Sequence, residues 1–196
     1  ATRLADGSLS IIIADVVGHG ITAALATGVL KSGYTLFLEK SGGKPGEIMS
    51  MLNRHFCTTL SHVYATCYCA RIAADGRGVV FAKGGHHHPL FWKGGRGEFE
   101  SVKLSGTGIG IMPDSAYTEI EFPIGPGDRL LFFTDGVIEQ HGPDGSMYSE
   151  ERLRDLLEAL IGSGERDVLD VIMRDLMRHA GVTHLEDDIT MLYLEF

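Results

Sequence analysis

The pattern of apolar and polar residues predicts helices towards both ends of the chain and a block of short strands between them. Apolar residues recur at helical spacing over residues 21–38, 45–60 and 149–180, and Gly162-Ser163-Gly164 divides the last of these into two helices. Short apolar or alternating runs bounded by turn residues are typical of strands. Such runs occupy residues 9–15, 64–72, 78–84, 89–94, 98–104, 117–122, 129–135 and 189–196.

The order of these elements predicts an α+β fold. The strands between residues 64 and 136 follow one another through turns such as Asp75-Gly76, so neighbours along the chain should pair as antiparallel hairpins. A doubly wound parallel sheet is excluded, because it would alternate strands and helices along the whole chain.

The length and composition suit one globular domain, or two small ones, with a net negative charge. The chain has 196 residues, of which 44% are hydrophobic, so it can bury a sizeable core. It carries 26 Asp and Glu against 17 Lys and Arg, for a net charge of −9. This balance argues against nucleic acid as a partner, because phosphate contacts need clustered Lys and Arg. An excess of carboxylates instead suits hard divalent cations, which take oxygen ligands.

The cysteines and the apolar runs indicate the compartment. Cys57, Cys67 and Cys69 are odd in number and form no CxxC pair, so we expect no disulfide framework and a reducing cytoplasm. Cys67 and Cys69 are two apart in a predicted strand, so both should face the core. No uninterrupted apolar run reaches the ~18 residues of a membrane span, and the first residues do not form a signal peptide. The helix over residues 21–38 is apolar enough to be fully buried, either in the core or in a homodimer contact.

Carboxylates stand at three places where an apolar strand meets a loop. Asp15 and Asp135 each end a predicted strand, and Asp187 and Asp188 precede the last one. If that last strand lies antiparallel to the first two, the three ends meet at one edge of the sheet, where the repelling charges would need a cation. Two divalent ions about 3.5–4 Å apart would satisfy the cluster and activate a water for attack on phosphorus. Taken singly, each carboxylate has a simpler explanation as a turn, a solvated loop or a helix cap.

Histidines and one glycine-rich loop are further candidates. His19 lies in a Gly-His-Gly turn, and residues 86–88 are three consecutive histidines. Adjacent strand residues point to opposite faces, so these three cannot all bind one ion, and we expect solvated loop histidines with His86 packed beside its glycines. Residues 106–110 (GTGIG) look like a phosphate-binding loop, but no helix follows, so a flexible hairpin segment is the better interpretation.

Taken together and in order, the motifs resemble the PPM (type 2C) metal-dependent protein phosphatases, in particular their bacterial SpoIIE/RsbU-like branch. The matching motifs are residues 15–20 (DVVGHG) followed by Ala23-Ala24, Gly85-His86 with Pro89-Leu90, residues 126–128 (PGD) leading into residues 134–139 (TDGVIE), and residues 187–190 (DDIT). The resemblance implies a four-layer αββα sandwich of two mostly antiparallel sheets flanked by helices. It also implies a single domain over residues 1–196, cut at its N-terminus from a longer protein, which the absence of an initiator Met also suggests.

The resemblance implies hydrolysis of phosphoserine or phosphothreonine on a protein, with two Mn²⁺ or Mg²⁺ ions. Asp15 would bridge both ions, the Val16 carbonyl would ligate one, and Asp135 and Asp187 would complete the other site. Asp188 falls at the neighbouring position. The usual substrate in this branch is a phosphorylated anti-anti-sigma factor with a STAS domain, and the phosphatase is often the output module behind an upstream sensor domain.

This sequence departs from the family pattern at several places. The family's upstream Gly-Gly-Asp-x-x-Asp segment, which supplies a further metal-binding Asp, does not occur in these 196 residues, so the second ion depends on residues before Ala1. His87 and His88 replace the usual Asn after the first His of its motif, and His19 sits at a different offset from Asp15 than the general-acid histidine of other PPM enzymes. The alternatives are a non-catalytic interaction or sensor-output domain and a nucleotide phosphodiesterase, the latter disfavoured because no base-stacking or basic groove is evident.

Overall fold

A computed structural model of the chain describes residues 1–60, 62–181, 185 and 187–196. In these ranges the strands are Thr2–Arg3 (β1), Leu9–Val16 (β2), Ala65–Ile72 (β3), Gly78–Gly84 (β4), Leu90–Lys93 (β5), Glu98–Glu100 (β6), Glu119–Pro123 (β7), Arg129–Phe133 (β8) and Met191–Glu195 (β9). The helices are Ile21–Lys40 (α1), Pro45–Thr59 (α2), Asp135–Ile138 (α3), Glu150–Ser163 (α4) and Val168–Ala180 (α5).

The strands form two antiparallel sheets packed face to face. The first sheet has the order β1-β2-β3-β4-β7 and the second has the order β6-β5-β8-β9. Large side chains fill the space between the sheets, among them Tyr68 and Phe81 from the first and Phe91 and Phe132 from the second. The edge-to-face contacts of these rings add to the burial of their apolar area. The predicted α+β fold with mostly antiparallel sheets is confirmed.

Helices cover the outer face of each sheet and complete four layers. Helices α1 and α2 pack on the first sheet, where the small side chains of Cys67 and Cys69 are fully buried beneath them, as expected. Helices α4 and α5 pack on the second sheet against Leu131 and Phe133. Ser149 caps α4, since its hydroxyl accepts a hydrogen bond from the Arg152 amide (3.4 Å).

Helix α1 is less buried than its composition predicts. One side packs on α2 and the first sheet, but Ile21, Leu25 and Leu36 on the other side are between 55% and 81% exposed. By length and composition alone, its 20 residues are also enough to cross a membrane. The sequence expectation concerned unbroken apolar runs, and α1 is not one, because it mixes apolar residues with Ser, Thr and Gly. A core helix of a layered fold can pass the same test.

Glycine in the segment 106–110 serves close packing of two backbones. A Cβ atom built on Gly106 would lie 1.8 Å from the carbonyl oxygen of Lys83, and the Gly106 oxygen accepts a bond from the Gly85 amide (2.8 Å). No side chain fits at that distance. The predicted hairpin segment therefore packs its backbone against the end of β4, and the need for this close approach explains the glycine at position 106.

Candidate metal centre

Three segments bring the predicted carboxylates to one end of the sandwich. Asp15 lies near the end of β2, Asp135 follows β8 and begins α3, and Asp187 precedes β9. The expectation that these ends share one sheet edge was wrong, because β2 belongs to the first sheet whereas β8 and β9 are paired in the second. The carboxylates therefore face one another across the gap between two sheets.

Thr134 ties the two segments of the second sheet together. Its hydroxyl donates to the Asp188 carbonyl (3.2 Å) and accepts from the Thr190 amide (3.0 Å), while its own amide donates to the Thr190 carbonyl (3.1 Å). The start of α3 approaches equally closely, since a Cβ built on Gly136 would lie 2.7 Å from the Asp188 oxygen. These contacts fix the Asp187-Asp188 segment beside the first turn of α3.

The electrostatics of this end of the sandwich favour a cation. Partial burial, together with the negative charges of Asp135, Asp187 and Asp188, raises the pKa of Asp15 to about 6. Within the described ranges, no Lys or Arg forms an ion pair with any of these four carboxylates. Several oxygen donors without a neutralising partner fit a hard divalent ion, so the residues present suit the metal that the resemblance implies.

An open cavity of about 570 Å³ is lined by three of these carboxylates, those of Asp15, Asp187 and Asp188. Its walls include Asp15 and Val16 from β2, His19 from the turn that follows, and Thr27 from α1, together with Asp187 and Asp188. The cavity has the size of a small-molecule site, yet it is open enough for a side chain carried by another protein. His19 is exposed on its wall, so it lies within reach of a bound group.

His86 has a structural role between the two sheets. It is 2% exposed, its Nδ1 lies 2.7 Å from the Thr66 hydroxyl on β3, and its Nε2 lies 3.1 Å from the Phe133 carbonyl on β8. A carbonyl only accepts, so Nε2 carries the proton and Nδ1 accepts from Thr66. Burial lowers the pKa of His86 to about 4, which keeps the ring neutral. The expectation of solvation is wrong for this histidine, because it is buried and both its ring nitrogens are hydrogen-bonded inside the protein.

His87 points elsewhere and meets two carboxylates. One ligand atom each from His87, Asp135 and Glu139 lies within 4.8 Å of the other two. The His87 ring stacks on Phe133 with an angle of 19° between the planes. The third histidine, His88, instead places its Nε2 3.0 Å from the Lys83 ammonium. The three histidines therefore have three different surroundings, which agrees with the expectation that they do not all bind one ion.

Sequence reasoning missed the grouping of Glu139 with Asp135. The two residues are four apart, which places them on one face wherever the chain is helical. Helix α3 has only four residues, too few for any periodic pattern to reveal it, and the pair Asp135-Gly136 looks like a turn.

The chain resembles several known phosphatases over nearly its whole length. Phosphoserine phosphatase RsbU of Bacillus subtilis is 27% identical over 189 residues, which is 95% of this chain and 55% of RsbU. The PP2C domain of SiaA from Pseudomonas aeruginosa has the same fold, with a TM-score of 0.85 at 23% identity over 100% of this chain and 77% of that one. RsbX, solved in complex with magnesium, has a TM-score of 0.64 at 19% identity over 97% of this chain and 82% of its own.

The extent of these matches shows both a shared domain and a difference in length. The chain spans between 34% and 55% of the lengths of the curated relatives it matches. The family described as Stage II sporulation protein E matches residues 5–196, which include every strand except β1 and every carboxylate of the candidate centre. The chain therefore belongs to the SpoIIE family.

Proposed function

We propose that this chain is a metal-dependent protein serine/threonine phosphatase that removes the phosphoryl group from phosphoserine or phosphothreonine. The observation that carries the proposal is the electrostatic coupling of Asp15 to Asp135 and Asp187 at one end of the sandwich, where Asp15 and Asp187 line an open cavity. These three carboxylates have no cationic partner in the described part of the chain. Membership of the SpoIIE family and the similarity to RsbU support the same reaction class.

Asp15, Asp135 and Asp187 would hold Mn²⁺ or Mg²⁺, with the carbonyl of Val16 as a further oxygen donor. The ions supply Lewis acidity and an activated water for in-line attack on phosphorus. Asp15 sits between the two sheets and so is placed to serve both ions. Thr134 and Gly136 keep the Asp187-Asp188 segment in position, and this fixed spacing is what an in-line reaction requires.

The remaining residues of the cavity would receive the phosphoryl group. His19 lines the same cavity as Asp187, and one of its ring nitrogens could donate a hydrogen bond to a phosphate oxygen or to the leaving hydroxyl. The cavity is open to solvent, so the substrate side chain can remain attached to a folded protein.

The wider setting is also part of the proposal. We propose that residues 1–196 are one phosphatase domain serving as the output module of a longer protein, consistent with the larger size of the matched relatives. The expected substrate is a phosphorylated STAS-domain anti-anti-sigma factor, and an upstream sensor domain would control the activity. The free thiols Cys57, Cys67 and Cys69 suit the cytoplasm.

Phosphopeptide hydrolysis tests this function directly. The protein, with its preceding segment included, should release phosphate from a phosphoserine peptide in Mn²⁺ and lose at least about 10²-fold in kcat/KM on Asp15→Asn or Asp135→Asn. Asp114→Asn is the matched control, because it removes the same charge from an exposed loop. Hydrolysis that survives both substitutions would rule out the metal mechanism. A wild-type protein that binds a phosphoprotein without turnover would support the non-catalytic alternative.

A further inference from the structure

We propose that His87, Glu139 and Asp135 form an additional metal site, which takes a divalent transition-metal ion such as Zn²⁺ in preference to Mg²⁺. The site lies on the α3 side of the centre and rests on the proposed function only in sharing the Asp135 carboxylate. It differs from the oxygen-only set around Asp15 in offering a ring nitrogen.

The distances between the ligand atoms suit a single ion. The three atoms lie within 4.8 Å of one another, and ligands of one ion at bond lengths of about 2.0–2.2 Å are separated by about 3–4 Å. Glu139 is exposed at the end of α3, so a rotation of its side chain can close the remaining gap. The carbonyl of Asp135 accepts a hydrogen bond from the Glu139 amide (2.9 Å). This helical hydrogen bond places the two carboxylates one turn apart.

His87 is placed to donate to an ion rather than to the protein. Its neighbours use their nitrogens internally, His86 with Thr66 and Phe133, and His88 with Lys83. By contrast, no hydrogen bond to the His87 ring is present among the described residues. Stacking on Phe133 limits the orientations of the ring, and the orientation it adopts brings a ring nitrogen towards the carboxylates.

The type of ligand determines which ions this site accepts. An imidazole nitrogen suits Zn²⁺ and other first-row transition ions, whereas Mg²⁺ prefers near-octahedral oxygen ligands and retains much of its water. One imidazole and two carboxylates leave room for water or a substrate oxygen in a remaining position. A small cavity of about 190 Å³ beside Glu139 also touches Asp187, which lines the large cavity as well. An ion at His87 would therefore lie next to the phosphoryl site and share its charge environment.

The test separates this site from the phosphatase centre by working in the Asp15→Asn variant. That change removes a ligand of the proposed hydrolytic centre and leaves His87, Glu139 and Asp135 in place. In isothermal titration with excess Mg²⁺ present, we expect Zn²⁺ to bind this variant and the ¹⁵N resonance of one His87 ring nitrogen to shift on binding. Adding His87→Asn or Glu139→Gln should weaken that Zn²⁺ binding at least about ten-fold.

The matched control is His62→Asn, which removes an exposed histidine at a position of positive φ that Asn tolerates. It should leave the Zn²⁺ affinity unchanged. Zn²⁺ binding that is indifferent to both His87→Asn and Glu139→Gln, or that excess Mg²⁺ abolishes, overturns the proposed site. Because phosphopeptide hydrolysis is measured separately on the wild-type protein, its absence alongside intact Zn²⁺ binding would reject the proposed function and leave the metal site standing.

Discussion

Replacing Gly136 by Ala tests whether the close approach of α3 to the Asp187-Asp188 segment matters for activity. The backbone of Gly136 has no positive φ, so Ala fits the helix, and any effect must come from the added methyl group. That methyl would lie 2.7 Å from the Asp188 carbonyl oxygen and 3.3 Å from the Asp187 Cβ. The segment must therefore retreat by roughly 0.5–1 Å to restore ordinary contact distances.

We expect this displacement of the Asp187-Asp188 segment to lower kcat/KM more than it lowers the free energy of unfolding. The Asp188 carbonyl that must move accepts a hydrogen bond from the Thr134 hydroxyl, so the displacement also stretches that hydrogen bond. Overpacking costs about 1–3 kcal/mol, and the better helix propensity of Ala returns up to about 1 kcal/mol. A misplacement of about 1 Å in a catalytic constellation can lower the rate about 10²-fold. We therefore expect kcat/KM for a phosphoserine peptide to fall about 10- to 100-fold, with weaker Mn²⁺ activation and a stability loss of about 1–2 kcal/mol.

The assay pairs steady-state hydrolysis across Mn²⁺ concentrations with denaturant unfolding. Gly162→Ala is the matched control: it adds the same methyl group in α4, where nothing lies within 4 Å of the new Cβ. It should leave kcat/KM unchanged and stabilise the protein by up to about 1 kcal/mol. If Gly136→Ala retains wild-type kcat/KM and Mn²⁺ dependence, the position of the Asp187-Asp188 segment does not control the reaction.

Two further predictions concern the buried polar residues of the scaffold. Because the pKa of His86 falls from its ordinary 6.5 to about 4 in the folded chain, the unfolded chain takes up the proton first as the pH drops. The contribution of the neutral His86 ring to the free energy of unfolding is therefore fully present above pH 6.5 and is lost towards pH 4. In metal-free denaturant unfolding, the wild type should lose roughly 2 kcal/mol more of its free energy of unfolding between pH 7 and pH 5 than His86→Gln does. The same pH dependence in both proteins would contradict a neutral buried ring. Asp128 is 2% exposed, forms an ion pair with Lys93, and accepts hydrogen bonds from the Gly94 and Gly125 amides (2.9 and 3.0 Å). Asp128→Ala would leave the Lys93 charge without its partner, so it should lower the free energy of unfolding by about 3–5 kcal/mol in the same assay. It lies at the opposite end of β8 from Asp135, so kcat/KM of the folded fraction should stay unchanged, and a loss under about 1 kcal/mol would contradict the buried pairing.

Local pattern was sufficient to predict most of the elements. Long helices such as α1 and α2 and runs such as β2 and β4 carry their periodicity within the segment itself, so their positions agree with the structure to within about two residues. The pairing of strands is a different matter, because alternation shows that a strand has a buried face but not which sheet it joins. The sequence therefore placed Asp15 and Asp135 at strand ends correctly, while the expectation of one shared sheet edge was wrong.

The histidine run shows the same limit at the scale of single residues. Strand alternation predicts that neighbouring histidines face opposite ways, and His86 and His87 do have different surroundings, although residues 86–89 are not in a strand. What separates them is the close approach of the two sheets. The Phe133 carbonyl and the Thr66 hydroxyl each form a hydrogen bond with one nitrogen of the neutral His86 ring, and these bonds hold His86 between the two sheets. His87, the next residue, is then directed towards Asp135, which the same β8 strand delivers. His86 therefore hydrogen-bonds both sheets, and the ring of His87 remains available for the ion proposed above.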